Sequence, residues 1–337
     1  MTIQEAIAKL LESEDLSRDE MVSVVDQIMS GSATDAQIGG FLVGLRLKGE
    51  SVQEISGAAE VMRDKATPIQ TKHEVVVDTC GTGGDHSGTF NISTAAAFVV
   101  AGAGLCVAKH GNRAASSLCG SADVLKALGV NVETSPEIIS KCLDEVGLGF
   151  LFAPALHGAM KYAIGPRREL GIRTIFNALG PLTNPAGATR QVIGVYSEGL
   201  TETLAEVLGS LGSERAFVVH GSDGLDEMTT TGPTRVSELS DGSVQTYEVE
   251  PGEFGLAIAD AGELKGGDEQ ESAEIILRVL NGEAGPRQDI VALNAGAAIV
   301  AGGLAEDFGS GVTLAQASIQ NGKALEKLEG LKAASNG

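Results

Sequence analysis

Four short segments of the 337-residue chain gather the residue types that handle phosphate, sugar and metal. The first is Gly81-Thr82-Gly83-Gly84-Asp85-His86-Ser87-Gly88-Thr89, followed by Asn91-Ile92-Ser93-Thr94 and an apolar stretch over 95–103. It comes straight after the β-branched run Val75-Val76-Val77, so it reads as strand, glycine loop, helix start. Glycines let backbone N–H groups converge on phosphate oxygens, and a helix N-terminus adds partial positive charge. Hydrogen bonds to a charged group contribute about 1.5–3 kcal/mol each, so several such donors can hold a diphosphate even on an acidic protein. Taken alone, the segment reads equally as a tight turn without a ligand. The common nucleotide motifs do not apply: a dinucleotide fingerprint needs glycine where His86 stands, and Gly-x-x-x-x-Gly-Lys-Ser/Thr occurs nowhere.

The second segment, Lys109-His110-Gly111-Asn112-Arg113-Ala114-Ala115-Ser116-Ser117, again follows an expected strand end, where open α/β sheets bind ligands. Lys109 can neutralise diphosphate and Asn112 can orient a ring or sugar. Read singly, Arg113 is a solvated charge and His110 a satisfied loop histidine; with Ser121-Ala122-Asp123, a further helix start, the group reads as functional. The third segment is Asp223-Gly224-Leu225-Asp226-Glu227. A carboxylate about 4 Å from a phosphate charge is repelled by about 4 kcal/mol at an effective dielectric of 20, so acidic residues beside a diphosphate imply a bridging cation. Magnesium fits, taking one or two carboxylates plus phosphates and waters, with Ser93 able to add a hydroxyl. The fourth runs from His157-Gly158-Ala159-Met160-Lys161 through Pro166-Arg167-Arg168 to Asn184-Pro185. An arginine fork matches a carboxylate, so Arg167 or Arg168 could anchor an acidic aromatic substrate, the other making salt bridges at a domain junction.

These segments need a scaffold, and the rest of the chain supplies its pattern. Four capping boxes, Thr2/Glu5, Ser17/Glu20, Thr34/Gln37 and Ser51/Glu54, each precede apolar residues at helical spacing. They predict a small all-helical domain over 1–72, to which helices from about 161–185 return. Beyond it, short β-branched runs ending at glycine loops alternate with helical stretches over 73–337, which predicts an α/β domain with a mostly parallel central sheet flanked by helices. Expected strands include 105–108, 148–152, 192–196 and 216–220, and expected late helices 290–301 and 314–328.

Composition bounds the partners. Apolar residues make up 43% and charged residues 20%, with 45 glycines and no tryptophan, as in a globular protein rich in tight loops. A net charge of -21 argues against nucleic acid or an anionic membrane as partner, so any phosphate site must be built locally. Cys80, Cys106, Cys119 and Cys142 lack metal or redox spacing and read as reduced, mostly buried thiols. The start Met1-Thr2-Ile3-Gln4-Glu5 lacks the pattern of a signal peptide, which predicts a cytoplasmic protein.

In this order, GTGGD, NIST, KHGNRAASS, GSADVL, RTIFNALGPLTNP and DGLDE resemble the anthranilate phosphoribosyltransferase family, and the resemblance runs through nearly the whole chain. It implies a homodimer through the helical part, magnesium, and transfer of the 5-phosphoribosyl group from phosphoribosyl diphosphate to the amine of anthranilate. By motif, Gly81, Gly84, Asp85, Thr89, Asn91, Ile92, Ser93, Thr94, the run from Lys109 to Ser117 and Ser121 would bind phosphoribosyl diphosphate. Gly81, Asn112, Ser121, His157 and Arg167 would line the anthranilate path, Arg167 matching the motif better than Arg168. Ser93, Asp226 and Glu227 would hold magnesium. Lys109, His110, Asp226 and Glu227 would carry catalysis, chiefly by stabilising charge on the departing diphosphate. Two rivals fall away. A pyrimidine nucleoside phosphorylase would carry KxHSTGG where GTGGD stands, and a nucleic-acid-binding relative fits neither the charge nor the intact acidic loop.

Overall fold

The computed structural model describes residues 1–114 and 118–337. The chain opens with four helices, α1 (Ile3–Leu11), α2 (Arg18–Met29), α3 (Asp35–Lys48) and α4 (Val52–Asp64). Each starts at one of the four capping boxes, with both reciprocal hydrogen bonds formed. The Glu54 carboxylate of the last box is fully buried, accepting also from Leu16 N at 3.0 Å and Lys48 Nζ at 2.8 Å, so a cap doubles as a tie between helices. Apolar faces at helical spacing, such as Met21, Val24, Val25 and Ile28, close the bundle.

The α/β domain holds one seven-stranded sheet in the order β3-β2-β1-β4-β5-β6-β7. Its strands are β1 (Val76–Gly81), β2 (Cys106–Gly111), β3 (Leu148–Phe152), β4 (Arg190–Gly194), β5 (Arg215–Gly221), β6 (Thr234–Ser240) and β7 (Ser243–Val249). The first five run parallel, while β5, β6 and β7 pair antiparallel. That final hairpin was not among the expected strands. Its turn is Asp241-Gly242, both with positive φ (50° and 73°), the backbone that the twist of a two-residue hairpin demands. Strand order reverses about β1, so a crevice opens at the carboxyl ends of β1, β2 and β4.

Between the strands run α5 (Ile92–Ala103), α6 (Ser121–Ala127), α7 (Pro136–Val146), α8 (Ala153–Leu156), α9 (Lys161–Leu170), α10 (Phe176–Leu179) and α11 (Leu200–Ser210). After the sheet come α12 (Glu269–Leu280), α13 (Pro286–Ala301), α14 (Phe308–Gln320) and α15 (Lys323–Asn336). The single helix expected over 314–328 is therefore two, broken at Asn321-Gly322, where Gly322 takes φ 78°. The almost wholly apolar α5 and the largely apolar 290–301 stretch of α13 are buried in the main core on one face of the sheet. On the other face, α9 packs against α2 and α3, and Ala163, Phe176, Leu179 and Leu182 share a core with the bundle and with Ile193 and Val218 of the sheet. All four cysteines are buried. No described helix is long and apolar enough to cross a membrane.

Candidate active site

The carboxyl edge of β1, β2 and β4 opens into a cleft of about 900 Å³, walled by Met62 of α4, Met160, and Ile164 and Arg167 of α9. The glycine loop and the Asp226-Glu227 pair form one end. Asp226 Oδ2 accepts from Gly83 N at 2.7 Å, and Glu227 Oε1 accepts from Ser93 N at 3.1 Å. The acidic loop lies directly on the strand ends: a Cβ at Gly81 would stand 2.6 Å from Asp226 Oδ2, and one at Gly194 only 1.5 Å from the Asp226 carbonyl oxygen.

Electrostatically this end is incomplete. Burial, then the neighbouring Glu227 and Asp85, hold the Asp226 carboxyl well above the ordinary carboxylate range. Burial raises Glu227 to about 7, although Lys109 and the Ser93 amide pull it down. Two buried polar atoms nearby, Asn91 Oδ1 and Thr94 Oγ1, have no hydrogen-bond partner among the described residues. Among the described residues no three His, Cys, Asp or Glu side chains converge to hold a metal by themselves. A cation here needs oxygen ligands from a bound phosphate and water, and two carboxylates with the Ser93 hydroxyl are hard donors of the kind magnesium takes.

Lys109 is buried, its Nζ donating to the Thr79 carbonyl at 2.6 Å and to Ser93 Oγ at 3.2 Å. Burial lowers its pKa, while Asp78, Cys80 and the acidic pair raise it. It thus sits beneath the site with its Nζ held between the Thr79 carbonyl and the Ser93 hydroxyl. Asp78, fully buried, accepts from His110 N at 3.1 Å and from Asn184 Nδ2 at 2.8 Å, and Asn184 also donates to the Ala108 carbonyl at 2.7 Å. The sequence reading missed this brace, although a carboxylate inside a β-branched run was a signal.

The opposite end is built from histidines and arginine. His110 Nδ1 lies 3.0 Å from the Gly180 carbonyl oxygen, and its Nε2 lies 3.1 Å from His157 Nε2. Burial, chiefly, pushes the two imidazoles down to about 3 and about 4, so both are neutral at neutral pH. A carbonyl only accepts, so His110 carries its proton on Nδ1 and accepts at Nε2, which places the His157 proton on Nε2 and leaves its Nδ1 as an acceptor. The Arg167 guanidinium lies over the Phe176 ring, 5.2 Å from its centroid, on the cleft wall, whereas Arg168 is exposed and away from the cleft.

Of the remaining expected residues, Gly84, Asp85, Thr89, Ile92, Gly111, Ala114 and Ser121 line the cleft. Asn112 lines it too, its Oδ1 accepting from Arg113 N at 2.7 Å and its carbonyl accepting from Ser121 Oγ at 3.1 Å. Arg113 is exposed at the rim, ion-paired with Glu133. Ala115, Ser116 and Ser117 lie outside the described residues. Arg173, to which the sequence reading gave no role, donates to the Gly84 carbonyl and stacks over Tyr196 with its charge 4.1 Å from the ring centroid.

Residues 73–325 match the glycosyl transferase family, α/β domain, and residues 4–66 its helical bundle domain, so fold and site together define a glycosyl transferase. Among similar proteins, the anthranilate phosphoribosyltransferase of Desulfosudis oleivorans is 58% identical, aligned over 97% of each chain. The crystal structure of that enzyme from Thermus thermophilus superimposes with TM-score 0.94 at 44% identity, covering 98% of this chain and 99% of the other. The Saccharomyces cerevisiae enzyme, in complex with PRPP and Mg, does so with TM-score 0.90 at 28% identity, covering 99% and 98%. The chain belongs to the anthranilate phosphoribosyltransferase family.

Proposed function

We propose that this protein transfers the 5-phosphoribosyl group from phosphoribosyl diphosphate to the amine of anthranilate, giving N-(5-phosphoribosyl)anthranilate and diphosphate in tryptophan biosynthesis. The observation that carries the reading is the meeting of the glycine loop with Asp226 and Glu227, through Gly83 N and Ser93 N, across one cleft from Arg167 and the histidine pair. The yeast relative solved with PRPP and Mg supports magnesium as the cation, and Ser93, Asp226 and Glu227 would hold it. When bound, it supplies positive charge to the leaving diphosphate.

In the reaction the anthranilate nitrogen forms a bond to C1 of the ribose while the C1–oxygen bond to diphosphate breaks, and the electron pair leaves on the diphosphate. The loop N–H groups and the charge of Lys109 stabilise that developing negative charge, the electrostatic form of catalysis. Arg167, half-desolvated over Phe176, offers a fork for the acceptor's carboxylate. The amine is already neutral and attacks without prior deprotonation. The proton it loses afterwards has an acceptor in His157 Nδ1.

Two further readings accompany this one. Leu11 of α1 is 73% exposed and Leu47 of α3 is 82% exposed, which supports a homodimer joined through the helical domain. The charge of -21 supports an enzyme without nucleic-acid or anionic-membrane partners. The test is the fluorescence of phosphoribosylanthranilate formed from the two substrates, with and without magnesium. Product is expected only with the metal, and no product under any condition would overturn the assignment.

A further inference from the structure

The glycine loop presents a folding problem of its own. Gly83, Gly84 and Gly88 have φ of 68°, 78° and 67°, and His86 also sits at positive φ, 58°. A loop rich in such freely turning residues has many alternatives to the one shape that aims its N–H groups at a diphosphate. Asp226 and Arg173 fix its incoming arm, at Gly83 and Gly84. Its outgoing arm, Ser87 to Phe90, is held by a segment from far along the chain.

That segment, residues 263–267, runs alongside the outgoing arm as a short strap. Thr89 and Lys265 form an antiparallel bridge. Gly266 N donates to the Gly88 carbonyl at 3.0 Å, Phe90 N to the Leu264 carbonyl at 3.3 Å, and Lys265 Nζ to the Ser87 carbonyl. The approach is too close for a side chain: a Cβ at Gly266 would stand 2.6 Å from Phe90 Cα. The strap is gripped from behind by Arg287 in the first turn of α13, whose Nε donates to the Glu263 carbonyl at 3.0 Å and whose Nη2 donates to the Lys265 carbonyl at 3.1 Å. One planar guanidinium thus spans two carbonyls of the strap, a geometry that a lysine ammonium cannot reproduce.

We infer that Lys265 and Arg287 are positioning residues for phosphoribosyl diphosphate: neither is among the residues lining the cleft, and through the strap they hold the outgoing arm of the glycine loop in its binding shape. The inference rests on the function proposed above and adds to it a two-layer support running from α13 through the strap to the loop. An unbraced loop must be ordered at the moment of binding, which weakens affinity for the ligand it cradles and leaves the acceptor end untouched. A conformational cost equal to one charge-assisted hydrogen bond corresponds to about tenfold in affinity or more.

The test compares the wild-type enzyme with Arg287→Ala, Arg287→Lys, Lys265→Ala and Gly266→Ala, by calorimetric binding of phosphoribosyl diphosphate with magnesium and by steady-state kinetics. Arg287→Ala and Lys265→Ala are expected to weaken phosphoribosyl diphosphate binding about tenfold and raise its KM in step, with the anthranilate KM changed less than about twofold. Arg287→Lys, keeping the charge but losing the fork, is expected to behave like the alanine variant. Gly266→Ala, whose methyl must push the strap away from Phe90, gives the same signature without removing any charge. Wild-type binding of phosphoribosyl diphosphate shared unchanged by all folded variants would overturn the inference, as would equal shifts in both KM values. Wild-type protein that does not bind phosphoribosyl diphosphate would overturn the functional reading instead.

Discussion

The two ends of the cleft solve opposite electrostatic problems. At the end proposed to take diphosphate, Asp226 and Glu227 crowd together with Asp85 over one buried lysine; burial first, then the neighbouring Glu227 and Asp85, raises the pKa of Asp226, and burial outweighs the pull of Lys109 to raise Glu227. At the acceptor end, two histidines lose charge by burial and satisfy each other, with the Gly180 carbonyl fixing which nitrogen carries each proton. One end is unfinished within the chain, and on the function proposed above a ligand would complete it with a cation; the other is complete beforehand. The difference separates groups that must respond to a ligand from groups that only have to receive one.

Removing the unfinished end should have the largest effect. The double variant Asp226→Ala with Glu227→Ala is expected to lower turnover by about a hundredfold or more and to abolish its dependence on magnesium, as loss of transition-state charge stabilisation does. Turnover and metal dependence both unchanged would show that the acidic pair is not the metal site. Arg167→Ala addresses the finished end. It should raise the anthranilate KM by about tenfold, the value of one charged hydrogen bond, and leave the KM for phosphoribosyl diphosphate within about twofold. Equal rises in both would mean that Arg167 braces the whole cleft.

The smallest effect, and the sharpest contrast, lies in pH. Glu227 is raised from 4.5 to about 7, so the stability it contributes is fully present below 4.5 and lost as pH rises through about 7. The histidines are lowered from 6.5 to about 3 and about 4, so their contribution is present above 6.5 and lost as pH falls through those lower values. The two ends therefore tilt the stability of the ligand-free protein in opposite directions. Glu227→Gln is expected to gain Tm relative to the parent as pH is raised from about 5 to about 8, and magnesium with phosphoribosyl diphosphate should narrow that gap. The ring signals of His110 and His157 in NMR should stay those of neutral imidazole down to about pH 5. A midpoint near 6.5 for either would remove the basis for the tautomer assignment.

What the sequence disclosed follows the range of the interactions involved. The four capping boxes are local, each a pair of residues three apart, and all eight of their reciprocal bonds form. The strand-to-loop junctions at Gly81 and Gly111 were legible for the same reason. The β6–β7 hairpin was overlooked although Asp241-Gly242 is a direct turn signal, and the break at Asn321-Gly322 carried a similar one. Asp78 with Asn184, Arg173 with Gly84, and Arg287 with the strap were illegible for a different reason. Their partners are backbone carbonyls or single side chains 89, 106 or 22 to 24 residues away, and a carbonyl leaves no mark in a sequence.

The close seating of Asp226 on the ends of β1 and β4 has a consequence for how substitutions at this site would be scored. A methyl group at Gly194 would collide with the very carbonyl that starts the acidic pair, and one at Gly81 with its carboxylate. In a saturation library both glycines would register as indispensable while neither supplies a reacting group. What they contribute is emptiness: two missing carbons, one at the end of each of two neighbouring strands, set the height at which the acidic pair rests.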